Sequence, residues 1–205
     1  VFALGGATWP RLGSDGSWQA AFAAKGVEIA PLKPSNSGFL VSWSGVFNEK
    51  FAGEPIKRSR FSFNGHEARG EAVATAYGIE GGAIYALSAH LRDAIEADGS
   101  AVVEIDLMPD MSESALATKL SGGAKDSMSN RLRKAGLSSA AASLAREDER
   151  GASLPPAPGD LARRIKQVRL RLTGVAPIAR AISTAGGVSW KSLNQDYSLK
   201  TDPAV

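Results

Sequence analysis

The chain has 205 residues and a net charge of +3, with 43% hydrophobic and 22% charged residues. These proportions are typical of a globular protein, and a chain of this length buries roughly 70% of its unfolded surface on folding. No apolar run approaches the roughly 20 residues that span a bilayer, so we expect a soluble protein without a membrane partner. Cysteine is absent, which excludes disulfides, thiolate metal sites and a cysteine nucleophile. The lack of a signal-peptide pattern favours a cytoplasmic location.

The chain opens on an apolar run, 1–4, that stops at Gly5 and Gly6. Such a run predicts a short strand buried on both faces, and strands of that kind belong to parallel sheets. The rest of that sheet must then lie elsewhere in this chain, or it is missing.

The next elements predict an antiparallel block. Trp18 and Phe22 have helical spacing, and that helix is expected to end at Gly26. Residues 31–34 are punctuated by prolines and should be extended. Phe61 and Phe63 then alternate into Asn64-Gly65, which is the strongest short-range hairpin signal.

The second half alternates helical and strand patterns. Apolar residues recur at helical spacing from 84 to 95, and period two follows from 103 to 107. Asp110, with Glu113 three residues later, predicts an N-terminal capping arrangement that begins a helix. The remaining predictions are helices over 112–120, 126–135 and 138–148, a proline-rich connector over 154–158, one further helix, and a strand over 168–172. Because strand patterns on both sides of these helices need partners, the helices are predicted to be an insertion within one sheet or barrel.

Conventional catalytic motifs are absent. There is no Gly-x-Gly-x-x-Gly fingerprint and no P-loop, and Ser44 and Ser88 lack a nucleophile elbow. His66 and His90 are the only histidines. His66-Glu67 lacks the second histidine, four residues after the first, that a metalloprotease zinc site needs. His90 lies at the edge of an apolar stripe. We interpret His90 as a partly buried packing residue, predict no metal site, and assign no catalytic acid or base.

The basic residues cluster. Residues 119–171 carry a charge of +7, and the remainder carries −4. This segment could form a nucleic-acid footprint, but no aromatic stacking residue lies between Tyr85 and Trp190. A solvated helical surface is the favoured interpretation, and a nucleic-acid-binding module using 119–171 is the alternative function. A purely structural docking domain is a third option.

Several segments carry a family resemblance when taken in order. They are ALGGATWPRLGSDG at 3–16, PLKPSN at 31–36, Gly70-Glu71 with Thr75, GIEGG at 78–82, SNRLR at 129–133 and AGGV at 185–188. Together they resemble the aminoacetone oxidase-like (BaiN-type) family of NAD(P)/FAD-dependent flavoproteins. The likeness covers nearly the whole chain, and the ordered succession is more specific than any one segment.

The resemblance implies a fold and a division of the chain. The fold is α+β: an antiparallel β-barrel subdomain with an inserted small helical bundle, flanked by remnants of a split Rossmann-like FAD-binding domain. The implied parts are an FAD-domain fragment (1–30), the first part of the barrel with one helix (31–108), the helical bundle (109–167), barrel return strands (168–185) and the start of the FAD-domain return (186–205).

The resemblance also implies a site and a role. The flavin-proximal residues carry over onto Gly5, Gly6, Ala7 and Thr8, and onto Gly186, Gly187 and Val188. The implied function is the substrate-side insertion of an FAD-dependent oxidoreductase, covering the flavin and shaping the pocket of a small-molecule substrate, with NAD(P)H as a further cofactor. Its implied partners are the remaining FAD-domain halves. The chain alone is expected to lack activity and to bind FAD weakly or not at all, because the pyrophosphate fingerprint is missing.

Two positions depart from the family pattern. Leu4 stands where the family has Thr, which removes a hydroxyl contact with the cofactor. The junction at 78–82 replaces the commoner Ser-Gly-Pro form, which affects any role of this segment in closing over the flavin ring.

Overall fold

A computed structural model describes residues 3–122 and 126–202. The chain divides into two compact units. The terminal unit combines Val1–Ser37 with Ala176–Val205, and the central unit is Gly38–Val175. Both ends of the chain therefore belong to one unit, and the other is built from a continuous segment.

The helices and strands are numbered in chain order. The helices are α1 (Trp18–Ala23), α2 (Gly45–Phe51), α3 (Gly82–Ala86), α4 (Ser88–Asp98), α5 (Glu113–Leu120), α6 (Met128–Ala135), α7 (Ser139–Leu144) and α8 (Pro158–Lys166). The strands are β1 (Ile29–Ser35), β2 (Phe39–Leu40), β3 (Pro55–Phe63), β4 (His66–Thr75), β5 (Gly78–Glu80), β6 (Ala101–Asp106), β7 (Val168–Leu172), β8 (Gly174–Val175) and β9 (Ser183–Val188).

The central unit contains a seven-stranded sheet in the order β7-β6-β3-β4-β5-β2-β8, and every ladder in it is antiparallel. The predicted hairpin joins β3 to β4: Asn64 and Gly65 have φ values of 46° and 82°, as a type I′ turn requires. The expected antiparallel block is therefore confirmed.

The two edge strands of this sheet are consecutive in the chain. Only Thr173 separates β7 from β8, and its backbone N–H donates to the Leu40 carbonyl. No ladder joins β7 to β8 among the described residues. The sheet thus has a barrel-like strand order whose last step is a chain connection, and the expected barrel is not closed by hydrogen bonding.

The helical bundle is inserted between neighbouring strands, as predicted. Helices α5 to α8 lie in sequence between β6 and β7, which pair directly with each other. Their apolar faces join the strand interiors in one core, to which α8 contributes Leu161 and Ile165 and α5 contributes Leu116 and Leu120. The mixed α+β class with an antiparallel sheet and a small bundle is confirmed.

The terminal unit is much less well packed. Strand β1 pairs antiparallel with β9 in a two-stranded sheet. Its buried cluster consists of Phe22, Val27 and Leu199, with partly buried side chains such as Trp18 and Leu193 around it. A two-stranded sheet with so small a core has little stability of its own.

Two local predictions differ from the structure at the level of elements. Ala3 and Leu4 lie outside any strand and Leu4 is exposed, while Val1 and Phe2 of the expected strand lie outside the described residues. The expected barrel strands over 168–185 separate, because 183–188 pairs with β1 instead of with the seven-stranded sheet. The division of the chain at 31, 109, 168 and 186 stays a prediction.

Three helix predictions also differ. The cap at Asp110 is wrong, because Ser112 is the N-cap of α5 and its Oγ accepts from the Ala115 N–H at 3.2 Å. Asp110 instead accepts a hydrogen bond from Arg69 at 2.6 Å. The helix expected to run unbroken from 84 is interrupted at Leu87, between α3 and α4. The helix predicted over 138–148 is shorter than expected, because α7 ends at Leu144.

Candidate functional site

The residues that the resemblance assigns to the cofactor converge on two cavities of the terminal unit. Their volumes are about 660 Å³ and 310 Å³, and both are lined by Gly5, Trp18 and Gly186. The assigned residues that line one or both are Gly5, Gly6, Thr8, Gly186, Gly187 and Val188. Ala7 donates its backbone N–H to Thr184 Oγ1 at 2.9 Å, which ties the first loop to β9. The structure thus brings the two assigned segments together.

Close backbone packing explains two of the four glycines. A Cβ on Gly6 would lie 2.2 Å from Thr184 Oγ1, and one on Gly186 would lie 2.2 Å from the Pro31 carbonyl oxygen. Gly5 and Gly187 have φ values of 72° and 112°, and a Cβ on either would meet nothing closer than 3.6 Å. Gly5 and Gly187 therefore present open backbone to the cavities, where another group can approach.

Trp18 lines both cavities, which the sequence did not reveal. It was predicted only as part of a helix face, and its ring does pack on Phe22 with centroids 5.6 Å apart. Its Nε1–H is buried and has no acceptor among the described residues. An unpaired buried donor costs about 1–3 kcal/mol, and a ligand with an acceptor atom would relieve that cost.

One wall of the larger cavity carries a negative charge. Asp196 accepts from the Ser198 hydroxyl at 2.7 Å and from the Ser198 backbone N–H at 3.1 Å. These hydrogen bonds lower the pKa of Asp196, so its carboxylate is ionised at neutral pH. A phosphate beside this carboxylate would be repelled, whereas a neutral aromatic ring would not.

Exposed large apolar side chains are concentrated in the terminal unit. Trp190 and Tyr197 are 78% and 73% exposed, and they contact each other edge to face. The other exposed side chains of this unit are Leu4, Trp9, Leu12 and Ile182, whereas Val46 is the one found in the described part of the central unit. The exposed apolar surface of the described residues is therefore concentrated on one of the two units.

The two histidines are exposed and stacked on each other. Their ring centroids are 3.6 Å apart and the planes are 10° from parallel. The prediction that His90 is partly buried is therefore wrong: it is exposed on α4, although the next residue, Leu91, is buried. Within 3–122 and 126–202, no cluster of three or more metal-ligating side chains occurs.

The basic segment is largely engaged in internal contacts. Its ion pairs include Lys134–Asp126, Arg150–Asp148, Arg163–Glu113, Arg163–Asp160, Arg164–Asp148, Lys166–Asp106, Arg169–Glu149 and Arg171–Glu149. Arg131 donates to the carbonyls of Leu120 and Pro156. Cations held in this way have less freedom to contact phosphates, which agrees with a solvated, internally paired surface.

Asp148 is the most deeply buried carboxylate of these pairs, and its side chain is 0% exposed. Burial alone would raise its pKa, but hydrogen bonds from Arg150 and from the Arg169 backbone N–H, with the charge of Arg164, outweigh burial and lower it. The hydrogen bond from the Arg169 N–H to Asp148 therefore connects the start of β7 to the loop after α7.

The junction at 78–82 brings acidic and phenolic groups together. The Tyr77 hydroxyl donates to Glu80 at the end of β5. Burial, assisted by the charge of Glu80, raises the pKa of Tyr85. Glu80 is thus the junction residue that interacts with the flanking tyrosines, and a role of the junction in closing over a flavin stays a prediction.

No helix in the described ranges is both long and apolar enough to cross a membrane. The central unit is an antiparallel sheet with an inserted helical bundle, and the terminal unit carries the glycine-lined cavities.

The sequence model of the HI0933-like protein barrel and H2TH domain matches residues 33–183. This span is more than half of the chain, and the chain belongs to that family. The matched region is the insert region of the aminoacetone oxidase-like flavoproteins, so the resemblance read from the sequence is confirmed. No curated protein matches the chain.

Proposed function

We propose that this chain is the substrate-side part of an FAD-dependent oxidoreductase. In this proposal residues 5–8 and 186–188 contact the flavin, and the chain covers the flavin and shapes the pocket of a small-molecule substrate. The family is associated with FAD oxidoreductases. The observation that carries the proposal is the convergence of both segments on shared cavities beside Trp18, whose buried N–H lacks an acceptor.

The character of the larger cavity supports the ring end of the cofactor over its phosphate end. The carboxylate of Asp196 disfavours a pyrophosphate, and no glycine fingerprint is present to bind one. The apolar walls formed by Phe22 and Leu199 suit a flat heterocycle, and Trp18 offers a donor to a ring nitrogen or carbonyl. When bound, the flavin would supply hydride transfer, with NAD(P)H as the proposed reductant.

The proposed partners are the remaining halves of the FAD domain. The exposed Trp190, Tyr197 and Ile182 give the terminal unit an apolar surface that such halves would cover. We assign no catalytic acid or base.

A flavin titration tests the proposal. Riboflavin and FAD should bind the isolated chain weakly and with similar affinity, because the chain has no glycine fingerprint to bind the phosphates that FAD adds. Trp18→Phe, which keeps an aromatic ring and removes the N–H, should weaken riboflavin binding about fivefold, as loss of one hydrogen bond worth about 1 kcal/mol implies. Trp190→Phe is the matched control, because Trp190 is outside both cavities.

Two results would contradict the proposal. Stoichiometric retention of FAD through purification would show that the pyrophosphate is held after all. Equal riboflavin affinities for the Trp18 and Trp190 variants, or no change in tryptophan fluorescence at millimolar riboflavin, would remove the cavities of the terminal unit as the flavin site.

A further inference from the structure

The central unit contains a separate cleft of about 790 Å³ that the flavin proposal does not use. It is enclosed by the end of α2, the start of β3, the turn after β6 and the turn between α6 and α7. The central unit holds this cleft within its own well-packed sheet and bundle, so the cleft does not depend on any other part of the chain.

The rim of the cleft is positively charged. Lys50, Lys57 and Arg58 line it, all three are exposed, and none of their side chains forms an ion pair or hydrogen bond with another described residue. The carboxylates at the cleft are Glu54 and Asp110, and Asp110 is already paired with Arg69 at 2.6 Å. A net excess of unpaired cations attracts an anion.

The backbone at Arg58 is in an unusual conformation. Its φ is 53°, in the left-handed region that a non-glycine residue enters at a cost of about 1–2 kcal/mol. The register between β3 and β4 shifts between Ile56 and Ser59, so Lys57 and Arg58 occupy a bulge. Bulges re-aim side chains, and here two consecutive cations line the same cleft instead of alternating across the sheet.

The inner wall of the cleft is apolar. Phe51, Met108, Met111 and Leu137 line it, and the first three are only partly buried. Thioether side chains are flexible and polarisable, and they adapt to flat or irregular apolar groups. A ligand that satisfies both the rim and this wall has an anionic head and an apolar body.

We propose that this cleft binds a small organic phosphate or sulfonate that carries an apolar group. Arg58 engages the anionic oxygens with its planar guanidinium, Lys50 and Lys57 neutralise the remaining charge, and the apolar body lies on Met108 and Met111. The site is distinct from the cavities of the terminal unit, and it stands whether or not the flavin proposal holds.

Calorimetric titration of the full chain with 1-naphthyl phosphate, inorganic phosphate and 1-naphthol tests this. Naphthyl phosphate should bind more tightly than inorganic phosphate or 1-naphthol. Arg58→Gly should weaken its binding about tenfold, because a charge-assisted contact is lost. Glycine tolerates the left-handed backbone, so this variant should unfold at the same temperature or higher. Lys57→Gln should weaken binding in the same direction. Lys119→Gln, which removes an exposed cation outside the cleft, is the control.

Each outcome decides the proposal. Equal affinities for the Arg58, Lys57 and Lys119 variants would overturn it, as would inorganic phosphate binding as tightly as naphthyl phosphate. Displacement of naphthyl phosphate by single-stranded DNA at much lower concentration would make nucleic acid the occupant, and would also overturn the small-molecule assignment.

Discussion

Asp148→Asn is predicted to destabilise the central unit substantially. Both carboxylate oxygens of Asp148 are used: Oδ1 accepts from the Arg150 backbone N–H and Nε at 2.8 Å each, and Oδ2 accepts from Arg150 Nη2 at 2.6 Å and the Arg169 N–H at 2.9 Å. The asparagine keeps one acceptor oxygen and turns an N–H₂ toward donors. Breaking one partner of a buried charge pair costs about 3–5 kcal/mol. Because Arg150 is 37% exposed, we take the low end, about 3 kcal/mol.

Urea unfolding at pH 7, followed by circular dichroism, measures this free energy. Asp110→Asn is the matched control: it removes the same kind of carboxylate, at 2.6 Å from Arg69, but at an exposed position. Exposed pairs contribute about 0–1 kcal/mol. The reasoning would be refuted if Asp148→Asn cost no more than Asp110→Asn.

The pH dependence provides a second check on Asp148. Its pKa in the folded state is lowered, so its contribution is fully present above its unfolded pKa of about 3.9 and is lost as pH falls through the folded pKa. The stability gap between the wild type and Asp148→Asn should therefore close below about pH 4. A gap that stayed constant from pH 7 to pH 3 would show that the charge of Asp148 is not the cause.

Three further predictions concern packing, capping and the basic segment. Leu161→Ala should destabilise the chain by about 2–5 kcal/mol, because Leu161 is fully buried; an unchanged urea midpoint would contradict this. Ser112→Ala should cost about 1 kcal/mol in the same assay through loss of the α5 cap, with Ser114→Ala as control. In a gel-shift assay at low salt, labelled RNA should bind the chain weakly; tight binding whose logarithm fell steeply with log salt would restore the nucleic-acid alternative.

The sequence predicted the central unit well because its signals are local. Phe61, Phe63 and the Asn64-Gly65 turn specify a hairpin through alternation and turn chemistry alone. The helices of the bundle are separated by glycines and prolines that end one element and begin another, as Gly136 and Pro158 do. Their insertion between β6 and β7 followed from the need of each strand for a partner.

Non-local effects escaped prediction. Nothing local distinguishes Asp110 from Ser112 as a cap, and the ion pair with Arg69 that engages Asp110 is formed across 41 positions of sequence. The exposure of His90 depends on which side of α4 faces the core, and the break at Leu87 shifts that face. The pairing of 183–188 with β1 likewise joins distant segments.

The candidate site was predicted through resemblance, not through chemistry. Gly5 and Gly186 came from the family pattern, and neither belongs to a catalytic or cofactor-binding motif that spacing alone could identify. The role of Trp18 was missed because its place on the apolar face of a helix explains its presence fully. The signal that could have revealed it is the indole N–H, which needs a hydrogen-bond partner wherever it is buried. The cleft at Arg58 has no sequence signature, since neither the bulge nor the left-handed backbone can be read from Lys57 and Arg58.

The single residue between β7 and β8 affects the order in which the sheet is assembled. During synthesis β2 to β6 leave the ribosome before residues 168–175. The edges of β6 and β2 that will pair with β7 and β8 therefore remain unpaired while the helical bundle is synthesised. Unpaired edges invite association with other chains. Arrival of one short segment then covers both at once, so completion of the sheet is an all-or-none event that depends on a stretch synthesised long after the strands it joins.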